Sequence, residues 1–294
     1  MVIVKLQGGL GNQMFQYAIG KAISIKHNTT LKLDLSFLQD RSPKESFIFR
    51  DYDLGIFNLD VEISQGKEKN SFIEGNQWLN RQINLIINEN FKKIYFKEKS
   101  FEFDCNALKY KNVYLDGYWQ SPKYFMNIEN IIRENFSIKY PLLYNSQKIA
   151  MDIVESNSVC LNVRRTDFVN LKNTNKFHGV KEIEYFNEAI NLLSSKVDDL
   201  KIFVFSDDIN WCVKNLRFKF FTTFLTHEHA GHKFNNYFQL MSLCKHFVIP
   251  NSTFAWWAAW LSQNPEKIVI APYKWFNSNS INTADLIPVN WIRV

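Results

Sequence analysis

An α/β fold built on parallel sheet is what this sequence predicts, from three observations. The second half of the chain repeats a strand, loop and helix unit. Its strand candidates are apolar runs that read as buried. The chain also opens on an apolar run that passes through glycines into a helical pattern. In order, residues 1–6 form a short strand that enters Gly8-Gly9-Leu10-Gly11-Asn12-Gln13. The helical pattern that follows sets Met14, Phe15, Ala18, Ala22 and Ile25 on one face. Residues 31–35 alternate like a strand. From about residue 47 to 140 the pattern breaks into short aromatic-rich pieces punctuated by Gly55, Gly66, Gly75 and Gly117. Pro141 and the polar Asn145-Ser146-Gln147 mark a linker, so domains of 1–150 and 151–294 are expected. Beyond it, strands fall at 159–163, 202–205, 247–249 and 268–271, with helices at 184–194, 236–244 and 254–262.

A chain of 294 residues suits two domains and a substantial core. With 46% hydrophobic and 22% charged residues it is neither disordered nor fibrous. The net charge of +6 is spread without a basic block, which suits an anionic small ligand, an acidic membrane surface or nucleic acid equally. Four cysteines, Cys105, Cys160, Cys212 and Cys244, lie far apart with no CxxC pair, pointing to a reducing compartment. The opening lacks the pattern of a signal peptide, and no stretch of 18 apolar residues occurs, so a soluble cytoplasmic protein is expected.

Three polar clusters fall at strand ends: Arg164-Arg165-x-Asp167, Ser206-Asp207-Asp208 and Asn251-Ser252-Thr253. In doubly wound sheets ligands bind beyond the carboxyl ends of the strands, so all three are expected to face one crevice. Two guanidinium forks can hold a diphosphate without a metal. Ser252 and Thr253 would open a helix and offer hydroxyls and unpaired amides to a phosphate, and Asp207 could accept hydrogen bonds from a base or ribose. Taken singly, each cluster also reads as an ion-paired turn or an ordinary helix cap. The helix at 254–262 is mostly core by composition, though one of its tryptophans could flank a sugar or base.

Gly8-Gly9-Leu10-Gly11-Asn12-Gln13-Met14-Phe15-Gln16-Tyr17-Ala18, Val163-Arg164-Arg165-x-Asp167, Phe205-Ser206-Asp207-Asp208 and Asn251-Ser252-Thr253-Phe254-Ala255-Trp256-Trp257 stand here in an order that resembles glycosyltransferase family 11, the bacterial α-1,2-fucosyltransferases. The likeness runs from residue 1 to about 275. It implies a GT-B fold, two Rossmann-like domains facing a central cleft, with an N-terminal acceptor-side domain and a C-terminal domain for the GDP-sugar. It further implies transfer of L-fucose from GDP-β-L-fucose to the 2-hydroxyl of a terminal β-galactoside with inversion, in surface glycan or O-antigen synthesis. By the same resemblance Arg164 and Arg165 would stabilise the leaving diphosphate and Asp167 would orient them. Asn162, Ser206, Asp207, Asn251, Ser252, Thr253 and Phe254 would contact the donor, and Gly9, Gly11, Asn12 and Gln13 would form a loop at the cleft. No cofactor or metal is expected. The acceptor would be a β-galactoside glycan, free or lipid-linked, with peripheral association at the inner face of the bacterial inner membrane.

The chain departs from the family pattern at Asn162, where histidine is usual; asparagine can replace a hydrogen bond but cannot titrate near neutral pH. His178 is a candidate general base, with a structural or donor-contacting role as the competing reading. Asp51-Tyr52-Asp53 imitates a metal-binding Asp-x-Asp, and His227-Glu228-His229-x-x-His232 a zinc cluster, but the first follows no convincing strand and the second reads as a solvated loop. Three other readings remain: a transferase for another GDP-deoxyhexose such as colitose, a non-catalytic glycan binder using the eight tryptophans, and a nucleic-acid binder using the Gly8-Gly9-Leu10-Gly11 loop. Nucleic acid is not the partner expected.

Overall fold

Five strands form the first sheet: β1 (Val2–Lys5), β2 (Leu31–Asp34), β3 (Glu62–Ile63), β4 (Ile94–Lys97) and β5 (Val113–Asp116). They pair in parallel in the order β3-β2-β1-β5-β4, so the winding reverses between β1 and β5. The computed structural model describes residues 1–43, 48–73, 92–165, 179–278 and 281–294. Within these the chain divides into two units, Met1–Ser137 with Asn282–Leu286, and Ile138–Ile281 with Ile287–Val294.

The first unit is organised by α1 (Leu10–Lys26), which links β1 to β2. Its buried side chains include Met14, Phe15 and Ala18 as expected, but the face drifts to Ile19 and Ile23, leaving Ile25 41% exposed. The irregular aromatic segment explains the drift, because it covers the side of α1 away from the sheet: Phe15 meets Phe125 at 6.2 Å and Tyr17 meets Phe136 at 5.5 Å between centroids. Gly20 lets α1 lie close on the sheet, since a Cβ there would stand 2.5 Å from Val4 Cγ2 and 2.7 Å from Leu31 Cδ1. Three short helices, α2 (Ser36–Gln39), α3 (Gly66–Ile73) and α4 (Glu129–Asn135), complete this unit. The later segment Asn282–Leu286 returns to it, where Asp285 accepts from Phe103 N at 2.8 Å and pairs with Lys123.

The second unit begins with α5 (Tyr144–Glu155). The sequence reading takes its first turn for a linker, yet Ser146 and Ile153 are fully buried and Asn236 Nδ2 donates to Ser146 Oγ at 3.3 Å. The division therefore falls at Ser137 and Ile138, ahead of the expected break at residue 150. Six parallel strands follow: β6 (Asn157–Val163), β7 (Leu200–Ser206), β8 (Phe221–Phe224), β9 (His246–Val248), β10 (Val269–Ala271) and β11 (Ile292–Arg293). Their order, β11-β10-β9-β6-β7-β8, is that of a dinucleotide-binding Rossmann sheet, with its switch point between β6 and β9. The crossovers are α6 (Ile183–Ser194), α7 (Ile209–Asn215), α8 (Asn235–Leu243) and α9 (Thr253–Leu261). Phe186, Ala189, Ile190 and Leu193 of α6 recur at helical spacing and are all buried, each large one contributing about 1.5–3 kcal/mol. In α9 both faces are covered: Trp256, Trp257 and Trp260 pack on one another, and Trp256 also meets Trp291 at 5.5 Å.

Candidate functional site

At the carboxyl edge of the second sheet the register sets the three polar clusters side by side. Val163 lies opposite Ser206 and Leu161 opposite Val248, so Arg164 follows β6 between Asp207 after β7 and Asn251 after β9. Arg164 stands at the switch point itself, where a ligand of a doubly wound sheet binds.

The arginines and Asp207 form one construction. Arg164 Nε pairs with Asp207 Oδ2 at 3.3 Å, while Asp207 Oδ1 accepts the backbone N–H of Arg165 at 2.8 Å. One carboxylate thus fixes both the guanidinium and the turn that carries it. The two arginines do different things. Arg164 is 30% exposed. Arg165 lies with its guanidinium carbon 3.7 Å from the ring centroid of Trp211, one turn into α7, and its Nε is buried with no hydrogen-bond partner among the described residues. Trp211, which the sequence reading does not single out, is the ring on which Arg165 rests. Its sole signal is its place four residues after Asp207.

The remaining second-unit residues shape this edge. Asn162 is buried in the sheet and its Nδ2 donates to Phe205 O at 3.2 Å, tying β6 to β7. Ser206 Oγ accepts from Asp208 N at 2.9 Å, and Asp208 caps α7 through Trp211 N at 3.1 Å. Ser206 is buried, so its hydroxyl shapes the turn. Its neighbour Cys212 has its thiol pushed up to about 11, chiefly by burial. Asn251 Nδ2 reaches Trp275 O at 3.0 Å, and Ser252 caps α9 by accepting from Ala255 N at 3.5 Å. Thr253 begins that helix, half-buried. Phe254 packs edge-on against Phe234 and Phe238 at 5.5 and 5.1 Å, joining α9 to α8. From α6, the Tyr185 hydroxyl donates to Ile249 O at 2.5 Å and holds the end of β9 in place. Asp167 and His178 lie outside the described residues.

In the first unit, the glycine-rich loop divides by function. Gln13 is fully buried and its carboxamide goes to the backbone: Nε2 donates to Gly8 O and Asp51 O at 2.9 and 2.8 Å, and Oε1 accepts from Asp53 N at 2.9 Å. It holds the loop rather than facing a ligand, and it accounts for the Asp51-Tyr52-Asp53 turn. Asp51 itself pairs with Arg41 at 2.5 Å. Gly11 is buried, whereas Gly9 and Asn12 reach the surface. In the histidine-rich loop, Thr226 Oγ1 meets His229 Nδ1 at 3.2 Å; no cluster of metal-ligating side chains occurs among the described residues.

Two Rossmann-like units in one chain, the second with an arginine at its switch point, are the build of a GT-B glycosyltransferase. The chain belongs to glycosyl transferase family 11, whose family model matches residues 67–294. It is similar to the α-1,2-colitosyltransferase of Escherichia coli, with 32% identity over 100% of this chain and 99% of that protein. It is likewise similar to the O-antigen biosynthesis glycosyltransferase WbnK of Escherichia coli, with 33% identity over 98% of this chain and 99% of the relative. Among solved structures, the fucosyltransferase NodZ from Bradyrhizobium is similar with TM-score 0.49, 13% identity and coverage of 88% and 90% of the two chains. FUT1 of Arabidopsis thaliana in complex with GDP is similar with TM-score 0.48, 12% identity and coverage of 91% of this chain and 69% of that one. Likeness of this degree transfers no residue role. No helix among the described residues is long and apolar enough to cross a membrane.

Proposed function

We propose that this glycosyltransferase moves L-fucose from GDP-β-L-fucose to the 2-hydroxyl of a terminal β-galactoside, with inversion to the α linkage, in the assembly of a surface glycan. The observation that carries the donor half is Arg164, pinned by Asp207 at the switch point of a Rossmann sheet and still partly exposed. As the sugar–phosphate bond lengthens, positive charge spreads over the sugar ring and negative charge builds on the β-phosphate. Arg164 and the amides opening α9 meet that charge more strongly in the transition state than in the ground state. Arg165, stacked on Trp211, adds positive charge from a fixed position. Fixed cations of this kind do the work that a divalent ion does in metal-dependent transferases, so activity should survive a chelator. The second unit is then the donor domain, and the first is the acceptor side. A net charge of +6 suits a peripheral position on the anionic cytoplasmic face of the membrane, where lipid-linked glycans would be met.

A second reading, transfer of colitose from its GDP form, is favoured by the full-length similarity to an α-1,2-colitosyltransferase. Purified protein incubated with GDP-fucose or GDP-colitose against a panel of β-galactosides, with linkage analysis of products, separates the two. A protein that consumes neither donor, and is not stabilised by GDP, overturns the proposal.

A further inference from the structure

The end of the second sheet away from Arg164 carries a surface of its own. Between Asp208 and Glu228 the chain holds no acidic residue, and Lys214-Asn215-Leu216-Arg217-Phe218-Lys219-Phe220-Phe221 sets cations among aromatic rings. This segment leaves α7 and enters β8, so it lies at the amino edge of the sheet. β7, of seven residues, runs between the two edges and spans about 20 Å at the usual rise of a strand. A ligand held here would be remote from the residues around Arg164.

Part of the segment packs inward. Phe218 and Phe220 lean on the core that α6, α7 and β7 share. Arg217 Nη1 closes α7 by donating to Val213 O and Leu216 O at 2.6 and 2.7 Å, and Lys219 Nζ stands 5.2 Å from the ring centroid of Phe220. Between this turn and α6 lies a cavity of about 290 Å³, with Asn187 and Asn191 on the helix side and Arg217, Phe218, Lys219 and Phe220 opposite. No acidic residue lines it. Neither Arg217 nor Lys219 is ion-paired among the described residues. The acids that strand register brings level with this turn, Asp198 and Asp199 ahead of β7, pair with none of its cations there. Other side chains face solvent: Phe221 is 67% exposed, Val213 is 48% exposed, and Lys214 is exposed beside them.

Two cations and two carboxamides without an acid suit a phosphate that carries hydroxyls. The cavity falls at the small end of ligand pockets, about 300–1,000 Å³, so it fits a headgroup better than a nucleotide sugar. Exposed apolar side chains next to cations suit the boundary where anionic headgroups give way to acyl chains. A second copy of the chain is a poorer occupant, since a two-fold contact would set these cations against themselves. Nucleic acid is poorer too, because Val213 offers no ring to a base and Lys201 Nζ already stands 4.7 Å over the ring of Phe221.

We propose that the turn between α7 and β8 docks on a bilayer, its cavity taking the phosphate and hydroxyls of an anionic phospholipid headgroup while Val213 and Phe221 enter the acyl boundary. Lys214, Arg217 and Lys219 supply the attraction and the two apolar side chains the insertion; one such signal alone holds a protein to a membrane only weakly. The inference gives a surface to the peripheral position proposed above and does not depend on which sugar is transferred.

Co-sedimentation of the intact chain with vesicles reads the docking directly. Wild type should bind vesicles of phosphatidylcholine mixed equally with phosphatidylglycerol and leave those of phosphatidylcholine alone. Lys214→Gln combined with Lys219→Gln should weaken binding about thirtyfold, at roughly fivefold for each cation near an anionic bilayer. Phe221→Ser should weaken it at least fivefold, and Asn191→Leu, which fills the cavity, at least threefold. These side chains are exposed, so melting temperature should hold in every variant, as should transfer to a soluble galactoside without vesicles. No binding to the anionic vesicles by wild type, or equal binding by wild type and the folded lysine and phenylalanine variants, overturns the inference. Unchanged binding by Asn191→Leu overturns the part given to the cavity. Binding of an RNA oligonucleotide, or self-association, that the same variants abolish while vesicles go unbound overturns it in favour of that partner. Vesicle binding through these residues by a chain that transfers no sugar would instead remove the transferase reading alone.

Discussion

Replacing Arg164 with alanine separates catalysis from stability, because the ion pair it makes with Asp207 is open to solvent screening. Its ion pair with Asp207 spans 3.3 Å between side chains 30% and 21% exposed. Solvent-screened pairs of this kind contribute about 0.2–1 kcal/mol. Asp207 also keeps its hydrogen bond from Arg165 N after the change, so the turn stays anchored. At about 2–4 °C per kcal/mol for a chain unit of this size, the melting temperature should fall by no more than a few degrees. The chemical cost is of another order. Removing one donor aimed at charge developing in a transition state costs about 2.7–4 kcal/mol, or roughly a hundredfold to a thousandfold in kcat. Arg164→Lys should recover only part of this, since an ammonium is a point charge without the planar fork that grips two phosphate oxygens. The assay is transfer from the GDP-sugar to a β-galactoside, run beside thermal melts with and without GDP. A folded Arg164→Ala protein with kcat within threefold of wild type would refute the reasoning.

Three further outcomes follow from the geometry. Trp211→Leu removes the face on which Arg165 rests, a contact of about 1–2 kcal/mol when partly desolvated; the GDP-induced thermal shift should shrink while the protein stays folded. Gly8→Ala places a methyl 2.3 Å from Asn12 Nδ2 at a left-handed position, so stability should drop by about 1–2 kcal/mol in denaturant melts and the Asn12 carboxamide should move; an unshifted midpoint contradicts the close approach. His246 is buried and its Nδ1 accepts Ile268 N–H at 3.1 Å, and burial, with Lys245 adding, holds its pKa below the usual histidine value. The folded pKa being the lower one, its contribution is present above the unfolded value of about 6.5 and is lost as pH falls towards the folded value. Melting temperature should therefore decline from pH 7.5 to pH 5, and His246→Gln should flatten that decline.

The residues differ in how far sequence could reveal them, and the difference is physical. β6, β7 and β9 are strands buried on both faces, so continuous apolar composition betrays them, and the charged residues at their ends stand out. β8 and β11 are short edge strands whose residues are half-exposed or exposed, so neither shows the continuous apolar run that marks the buried strands. α5 is masked by a polar first turn whose one buried residue there, Ser146, is satisfied by Asn236 from α8. The contacts of Trp211 with Arg165 and of Gln120 with Asn12 are harder still to read, since each partner is supplied by tertiary structure. A sequence shows that Arg164, Asp207 and Asn251 each follow a strand; it does not show which strands are neighbours, because parallel pairing joins segments far apart in the chain. Strand order supplies that missing step. Once β9 is known to lie beside β6, Arg164 is the residue at the reversal, and once β5 is known to lie beside β1, Gln120 is brought to Asn12 across 108 positions of sequence. Strand order thus brings each pair together, and β5, which delivers Gln120, sits in the aromatic segment where periodicity fails.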